Sequence, residues 1–277
     1  MLPKYVDGRL RGLKKFMFYM NPVALRRDRL EREKYEKQEK YSIPPFYLRK
    51  RIGAGTVEEF LSSGRHCYND IRNVLKTQRK SIEEFNSILD FGCGCGRTLR
   101  WFDEWAKKNV LTGVDVDDEV VNWSKINIPF ALVFKSKYTP PLPFESNKFD
   151  FIYSVSVFSH LEEDLHLRWL AELERILIRG GYAVISTHGP YCYKPFLFGK
   201  YGLKLSNDEL IPDYAYGMKE IDRKGFIFDP IDIKTGYGIT FISSGYIYER
   251  WSNYFEVVDI IPVGMDHLQD TIILRKR

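Results

Sequence analysis

The stretch Ile88–Arg97, ILDFGCGCGR, decides the reading of this chain. A short apolar run ends in Asp90 and passes into three glycines at alternate positions, enclosing Cys93 and Cys95. Glycine lacks a Cβ, so the backbone here can take dihedrals closed to other residues and let a ligand lie against it. The helix expected next, RTLRWFDEWAKK, would present unbonded N–H groups and a partial positive charge to the same place. A phosphate-binding P-loop needs GxxxxGK[ST], and Arg97-Thr98 does not supply it. The dinucleotide fingerprint GxGxxG is not met either, because the spacing from Gly92 is GxGxG. Two thiols alone make a poor metal site.

Outward from this loop the chain alternates short apolar runs with amphipathic ones. SILDF, VLTGVDV, FALVFKS, FDFIYSVSV and YAVISTH read as strands, and DDEVVNWSKIN and LHLRWLAELERIL as helices, the latter ended by Arg179-Gly180-Gly181. Alternation on this scale predicts right-handed βαβ units and a parallel sheet covered on both faces. YFEVVDIIPV and DTIILRKR read as two closing strands.

ILDFGCGCGR resembles the first motif of class I S-adenosylmethionine-dependent methyltransferases, roughly [VIL]LDxGCGxG. Three further stretches fall in the family's order. Asp115 ends the second strand in LTGVDVDD, about 20 residues on, where a carboxylate can meet ribose hydroxyls; Asp117 and Asp118 are free to cap the following helix. PLPFESNKFDFIYSVSVFSHL is similar to the fourth-strand region, and ILIRGGYAVIST to LKPGGxxxxxT, with Arg179 where proline usually sits. The resemblance implies a Rossmann-like α/β fold. Its seven-stranded sheet is mostly parallel with an antiparallel last strand, carries helices on both faces, and is joined by an N-terminal helical extension and an aromatic-rich insert. It implies S-adenosyl-L-methionine as cofactor, held by Asp90, Gly92, Cys93, Gly94 and Gly96, by Asp115 and Val116 at the nucleoside, and by Tyr138 and Ser154 along the next strands. One departure is that KSKYTPPLPF offers Tyr138 where the family often has an acidic residue toward the adenine.

A hydroxyl acceptor needs a base near its proton. His160 follows the fourth strand and His188 the fifth, both on the strand-end rim where ligands bind in open α/β sheets; they are the candidate catalytic residues. His267 is a third option, whereas His66 and His166 read as helical and structural. No [DNS]PP[YFW] follows the fourth strand and no Pro-Cys occurs, which argues against amino-nucleobase and cytosine-C5 acceptors. No His/Asp/Glu cluster has metal-ligand spacing, so no metal is expected. The flanks of the motifs also resemble bacterial methyltransferases linked to surface-glycan biosynthesis, implying a saccharide or glycan hydroxyl as acceptor. Methylation of another small metabolite, or a catalytically inactive cofactor-binding regulator, are the other readings.

The expected organisation is a basic N-terminal helical extension and cap over 1–86 and a methyltransferase domain over 87–277. Residues 189–250, rich in Tyr and Phe, would be a substrate-covering insert. TVEEFLSSG should open on a Thr56 cap and close at Gly64. Of the net charge of +5, residues 1–51 hold 15 Lys/Arg against 6 Asp/Glu, or +9, and the remainder is −4. That asymmetry does not indicate a nucleic-acid footprint. The sign-alternating run RRDRLEREKYEKQEKY reads as a solvated helix face, and RLRGLKKFMFYM before it allows peripheral contact with an acidic surface or a lipid-linked substrate. Four scattered cysteines and no long apolar run predict a cytoplasmic protein without disulfides or membrane spans.

Overall fold

The computed structural model describes residues 22–192, 214–232 and 236–277. The basic N-terminal stretch 1–21 and residues 193–213 and 233–235 of the expected insert lie outside the described residues. Three helices come first: α1 Pro22–Glu36, α2 Phe46–Arg51 and α3 Val57–Thr77. The Thr56 cap forms as the sequence predicts. Its hydroxyl accepts from the Glu59 amide at 3.0 Å while the Glu59 carboxylate accepts from the Thr56 amide at 3.2 Å, two reciprocal bonds that satisfy orphan donors. Gly64 does not close this helix, which runs on to Thr77. A Cβ at Gly64 would lie 2.0 Å from the Arg97 carbonyl oxygen, so this glycine is where α3 packs against the glycine-loop segment.

The sheet strands are β1 Ser87–Phe91, β2 Val110–Asp115, β3 Leu132–Lys135, β4 Phe149–Ser154 and β5 Leu177–Thr187. Between them run a 3₁₀ turn at Leu99–Phe102 with a single helical turn α4 Asp103–Ala106, then α5 Asp118–Asn127 and α6 Glu163–Ile176. The continuous helix expected over 97–108 is thus reduced to two short turns. After β5 come α7 Tyr214–Lys224, a hairpin of β6 Phe226–Asp232 and β7 Tyr237–Ile242, and α8 Ser244–Arg250. β8 Glu256–Met265 and β9 Gln269–Arg275 finish the chain. Arg179-Gly180-Gly181 falls inside β5, not at the helix end: α6 stops at Ile176 and the strand begins at once.

The seven-stranded order is β3-β2-β1-β4-β5-β9-β8. β1 through β5 pair in parallel, and β9 slots antiparallel between β5 and β8. The expected Rossmann-like sheet with an antiparallel last strand is therefore what forms. One face packs α6 and α8 through Trp169, Leu173 and Ile247, and the other packs α3 through Ile71, Val74 and Leu75. Connections leave β1 and β4 in opposite directions along the sheet, so a crevice opens beyond their carboxyl ends.

α1 is only partly the solvated helix its charges predict. Its Asp28 is 6% exposed and pairs at 2.7 Å with Arg49, which is 0% exposed. That buried pair ties α1 to α2. Phe60, Leu61 and Val57 of α3 then pack with Cys95 and Val120, so Cys95 is the point where the N-terminal helices dock on the glycine loop.

Candidate active site

β1 ends and the chain turns so that the amides of Gly92 and Cys93 both donate to the Val114 carbonyl on β2 at 2.9 Å. Gly92 and Gly94 have φ of 88° and 53°, the left-handed region that favours glycine. Their Cβ positions would lie 2.1 Å from Val157 and 2.7 Å from Ile52. Val157 and Ile52 thus fill the directions a side chain would take, and only glycine lets the loop pass beneath them. Gly96 does not face the cavity; it sits beneath Ile128, whose Cδ1 would be 1.9 Å from a Cβ there. Burial pushes the Cys93 thiol well up and that of Cys95 to about 12, so both stay protonated and neither is a thiolate ligand.

Two carboxylates flank the loop. Asp90 is 3% exposed and accepts a 2.8 Å hydrogen bond from the Tyr153 hydroxyl. Burial pushes its pKa to about 8 against that bond. Asp115 accepts from the Gly94 amide at 2.8 Å with one oxygen and from the Asp117 amide at 3.0 Å with the other, and burial raises its pKa as well. These bonds aim the carboxylate, and each oxygen retains a second lone pair. Asp117 caps α5 by accepting from the Glu119 amide, which leaves Asp115 for other work.

A cavity of about 1400 Å³ opens over these groups. Asp90, Gly92, Cys93, Gly94, Asp115, Val116 and Tyr138 line it, together with His160 and His188. Ser154 does not: its side chain is buried and its hydroxyl donates to the Phe91 carbonyl at 3.0 Å, joining β4 to β1. Pockets for single small ligands usually span about 300–1,000 Å³, so this one has room for a cofactor and an acceptor together.

Part of the wall carries no motif in the sequence. Arg97 lines the cavity and donates to the Ser63 hydroxyl at 3.1 Å. Ser63 in turn donates to Asp266, whose other oxygen lies 3.3 Å from His66 Nδ1. His66 therefore faces the cavity rather than the core, contrary to the structural role expected of it. His267 packs edge-on against His66 at 5.2 Å and does not line the cavity. His166 is buried among Phe158, Phe226 and Trp251, as a structural residue.

His160 and His188 meet edge to face with ring centroids 5.8 Å apart. The His160 Nδ1 lies 2.8 Å from the Gly238 carbonyl; a carbonyl only accepts, which assigns the proton to Nδ1 and the lone pair to Nε2. Tyr237 stacks on the same ring at 5.1 Å. Burial lowers the His160 pKa, the Gly238 carbonyl opposing it in part. Burial takes His188 further, to about 3, with His160 adding to the depression. His188 Nε2 lies 3.3 Å from the Gln269 amide nitrogen, whose oxygen accepts from Ser186. Among the described residues no group of three or more His, Cys, Asp or Glu side chains is placed to hold a metal ion, and no helix is long and apolar enough to cross a membrane.

Residues 89–185, about a third of the chain, match the family described as methyltransferase domain. No curated protein matches the chain. Among solved structures, a Pyrococcus horikoshii protein superposes with a TM-score of 0.56 at 15% identity, covering 88% of this chain and 99% of that one. An S-adenosylmethionine-dependent methyltransferase from Clostridium acetobutylicum gives 0.54 at 12% identity over 76% and 91% of the two chains. Another from Mesorhizobium loti gives 0.50 at 16% over 74% and 96%. These likenesses carry the fold. Residues 89–185 thus match a methyltransferase domain, set within a fold that S-adenosylmethionine-dependent methyltransferases share.

Proposed function

We propose that this enzyme methylates a neutral hydroxyl on a saccharide- or glycan-type acceptor, with His160 as the general base. S-adenosylmethionine, when bound, supplies an electrophilic sulfonium methyl. Gly92, Cys93 and Gly94 would hold it through backbone, Asp90 at its ammonium, Arg97 at its carboxylate, Asp115 at the ribose, and Val116 and Tyr138 along the adenine. The observation that carries the reading is His160: its Nδ1 is fixed on the Gly238 carbonyl, and Nε2 is left with a lone pair at the cavity. A depressed pKa keeps that imidazole neutral, hence able to accept a proton, at pH 7. His188 is the weaker candidate because its Nε2 is engaged by Gln269.

The wall around His160 supports the acceptor class. Tyr237 and His188 against its ring, and Gln269 beyond His188, carry no formal charge, which suits an uncharged substrate better than a phosphate or carboxylate. Tyr237, 44% exposed, offers a ring face of the kind that packs on sugar C–H surfaces.

The test is transfer of labelled methyl from cofactor into extracted glycans and, separately, into metabolite pools. Label in glycans that is alkali-stable and lost in His160→Gln, roughly 10²–10⁴-fold, with cofactor affinity retained, is the expected result. Label confined to small amines, insensitive to His160→Gln, would replace the hydroxyl acceptor. Cofactor binding with no incorporation into either pool would point to a regulator.

A further inference from the structure

α1 distributes its charges unevenly around its axis. All four of its acidic side chains are engaged: Asp28 with Arg49 and Arg32, Glu31 with the Val57 amide, Glu36 with the Ile43 amide, and Glu33 with Arg29 on the flank. The opposite stripe, positions 23, 26, 27, 30 and 34 at helical spacing and Lys37 just past the helix end, holds only basic and aliphatic residues. Val23 is 75% and Leu30 58% exposed. Around them Arg26, Arg27, Lys34 and Lys37 have no salt-bridge partner among the described residues. The sequence running into this helix, Arg9–Met20, adds four basic residues, no acidic one, and Leu, Phe, Met and Tyr between them.

We propose that this face of α1 docks on an anionic lipid surface. Basic side chains interleaved with exposed aliphatic ones match a headgroup layer that offers negative charge outside and apolar depth beneath. A nucleic-acid backbone would reward the charges and leave Val23 and Leu30 without apolar cover. The net −4 of residues 52–277 repels such a surface and so orients the molecule with α1 toward it. The Asp28–Arg49 pair joins α1 to α2, and the residues after α2, Ile52 to Ala54, line the cavity. Docking would therefore hold the active site beside membrane-bound substrate. Vesicle binding requires neither cofactor nor acceptor, so this inference and the methyl-transfer reading fail separately.

The experiment is co-sedimentation of the full chain with phosphatidylcholine vesicles, with and without phosphatidylglycerol, at low and high salt. Each basic side chain at the surface is worth roughly fivefold in partitioning. The expected result is binding to anionic vesicles only, weakened by salt, and reduced roughly 25-fold or more in Arg27→Glu/Lys34→Glu. An independent pair, Arg26→Gln/Lys37→Gln, should fall in the same direction, with thermal melting of both variants as in the native chain because these side chains are exposed. Equal binding to neutral vesicles, binding by the variants at native strength, or capture of duplex DNA or RNA without vesicle binding would each overturn the proposal.

Discussion

If Asp90 receives the cofactor's ammonium, cofactor binding must expel a proton. The carboxyl is 3% exposed, and burial holds its pKa at about 8 even with the Tyr153 hydroxyl donating to it. At pH 7, one unit below that value, roughly nine-tenths of the free protein carries the proton. An ammonium placed against it favours the ionised form, so binding should release about 0.9 proton at pH 7 and essentially one at pH 6, a range in which an α-amino group is itself mostly protonated. Apparent affinity should rise about ninefold from pH 6 to pH 7, because only the ionised fraction binds. Titration calorimetry in two buffers of different ionisation enthalpy reads the proton count directly. Asp90→Asn removes the titrating group while keeping its shape. It should abolish the release and weaken binding by about 1–3 kcal/mol, the cost of losing a charged hydrogen bond. Buffer-independent heats at pH 6 and 7 would refute the placement of Asp90, as would release that persists in Asp90→Asn.

Asp115→Ala should weaken cofactor binding by about 1–3 kcal/mol, measured by the same calorimetry; unchanged affinity would remove Asp115 from the nucleoside site. Arg49→Met leaves the Asp28 carboxylate buried without its 2.7 Å partner and should cost about 3–5 kcal/mol in denaturant unfolding, whereas Asp28→Leu/Arg49→Met recovers much of it. A single variant within about 1 kcal/mol of the native chain would show the pair to be superfluous. His166 is held neutral by burial, its pKa lowered to about 3. The unfolded chain takes up a proton there below about pH 6.5 and the folded one does not. The stability that neutral His166 confers is therefore whole above that pH and declines as pH falls toward 3. His166→Leu should flatten the acid limb of the stability profile, by about 1.4 kcal/mol per pH unit at most; an unchanged acid limb would contradict the burial argument.

What was legible in the sequence was local. The turn after β1, the Asp115 position and the strand–helix alternation each rest on spacings of a few residues, and the Thr56 cap on a spacing of three. Gly64 misled because a glycine at a helix end and a glycine under a crossing backbone look alike until the crossing partner, Arg97, is in place. Arg179-Gly180-Gly181 misled similarly, reading as a helix stop where the structure uses it inside a strand. Ser154 lies among the site motifs, but strand alternation alone does not tell a side chain that faces a ligand from one that ties two strands together. His66 was beyond reach for a different reason. Its cavity-facing position depends on Asp266, 200 residues away, and the bridge to Arg97 passes through Ser63; no spacing in the sequence connects these three segments.

That division has a functional counterpart. The segment matched to the methyltransferase domain, residues 89–185, contains Asp90, the glycines, Asp115 and His160, the groups argued to bind the reagent and accept a proton. Much of the remaining wall comes from outside it: Ile52, Ser63 and His66 from the N-terminal helices, Tyr237 and Ile239 from β7, and Met265, Asp266, Leu268 and Gln269 around the last turn. Ile52 roofs Gly94 so closely that a Cβ there would be 2.7 Å away, and Arg51 bridges to Asp117 at 2.8 Å and to Glu119. The N-terminal helices thus close over the glycine loop, while the β6–β7 hairpin meets His160 through Tyr237 and Gly238, and Gln269 of β9 meets His188. Chemistry shared across many acceptors can stay in one motif, but selection of a single acceptor requires surfaces that touch it. Substitutions at Tyr237, Ile239 or Leu268 should accordingly change which acceptor is methylated and leave cofactor affinity in place, the reverse of substitutions at Asp90 or Asp115.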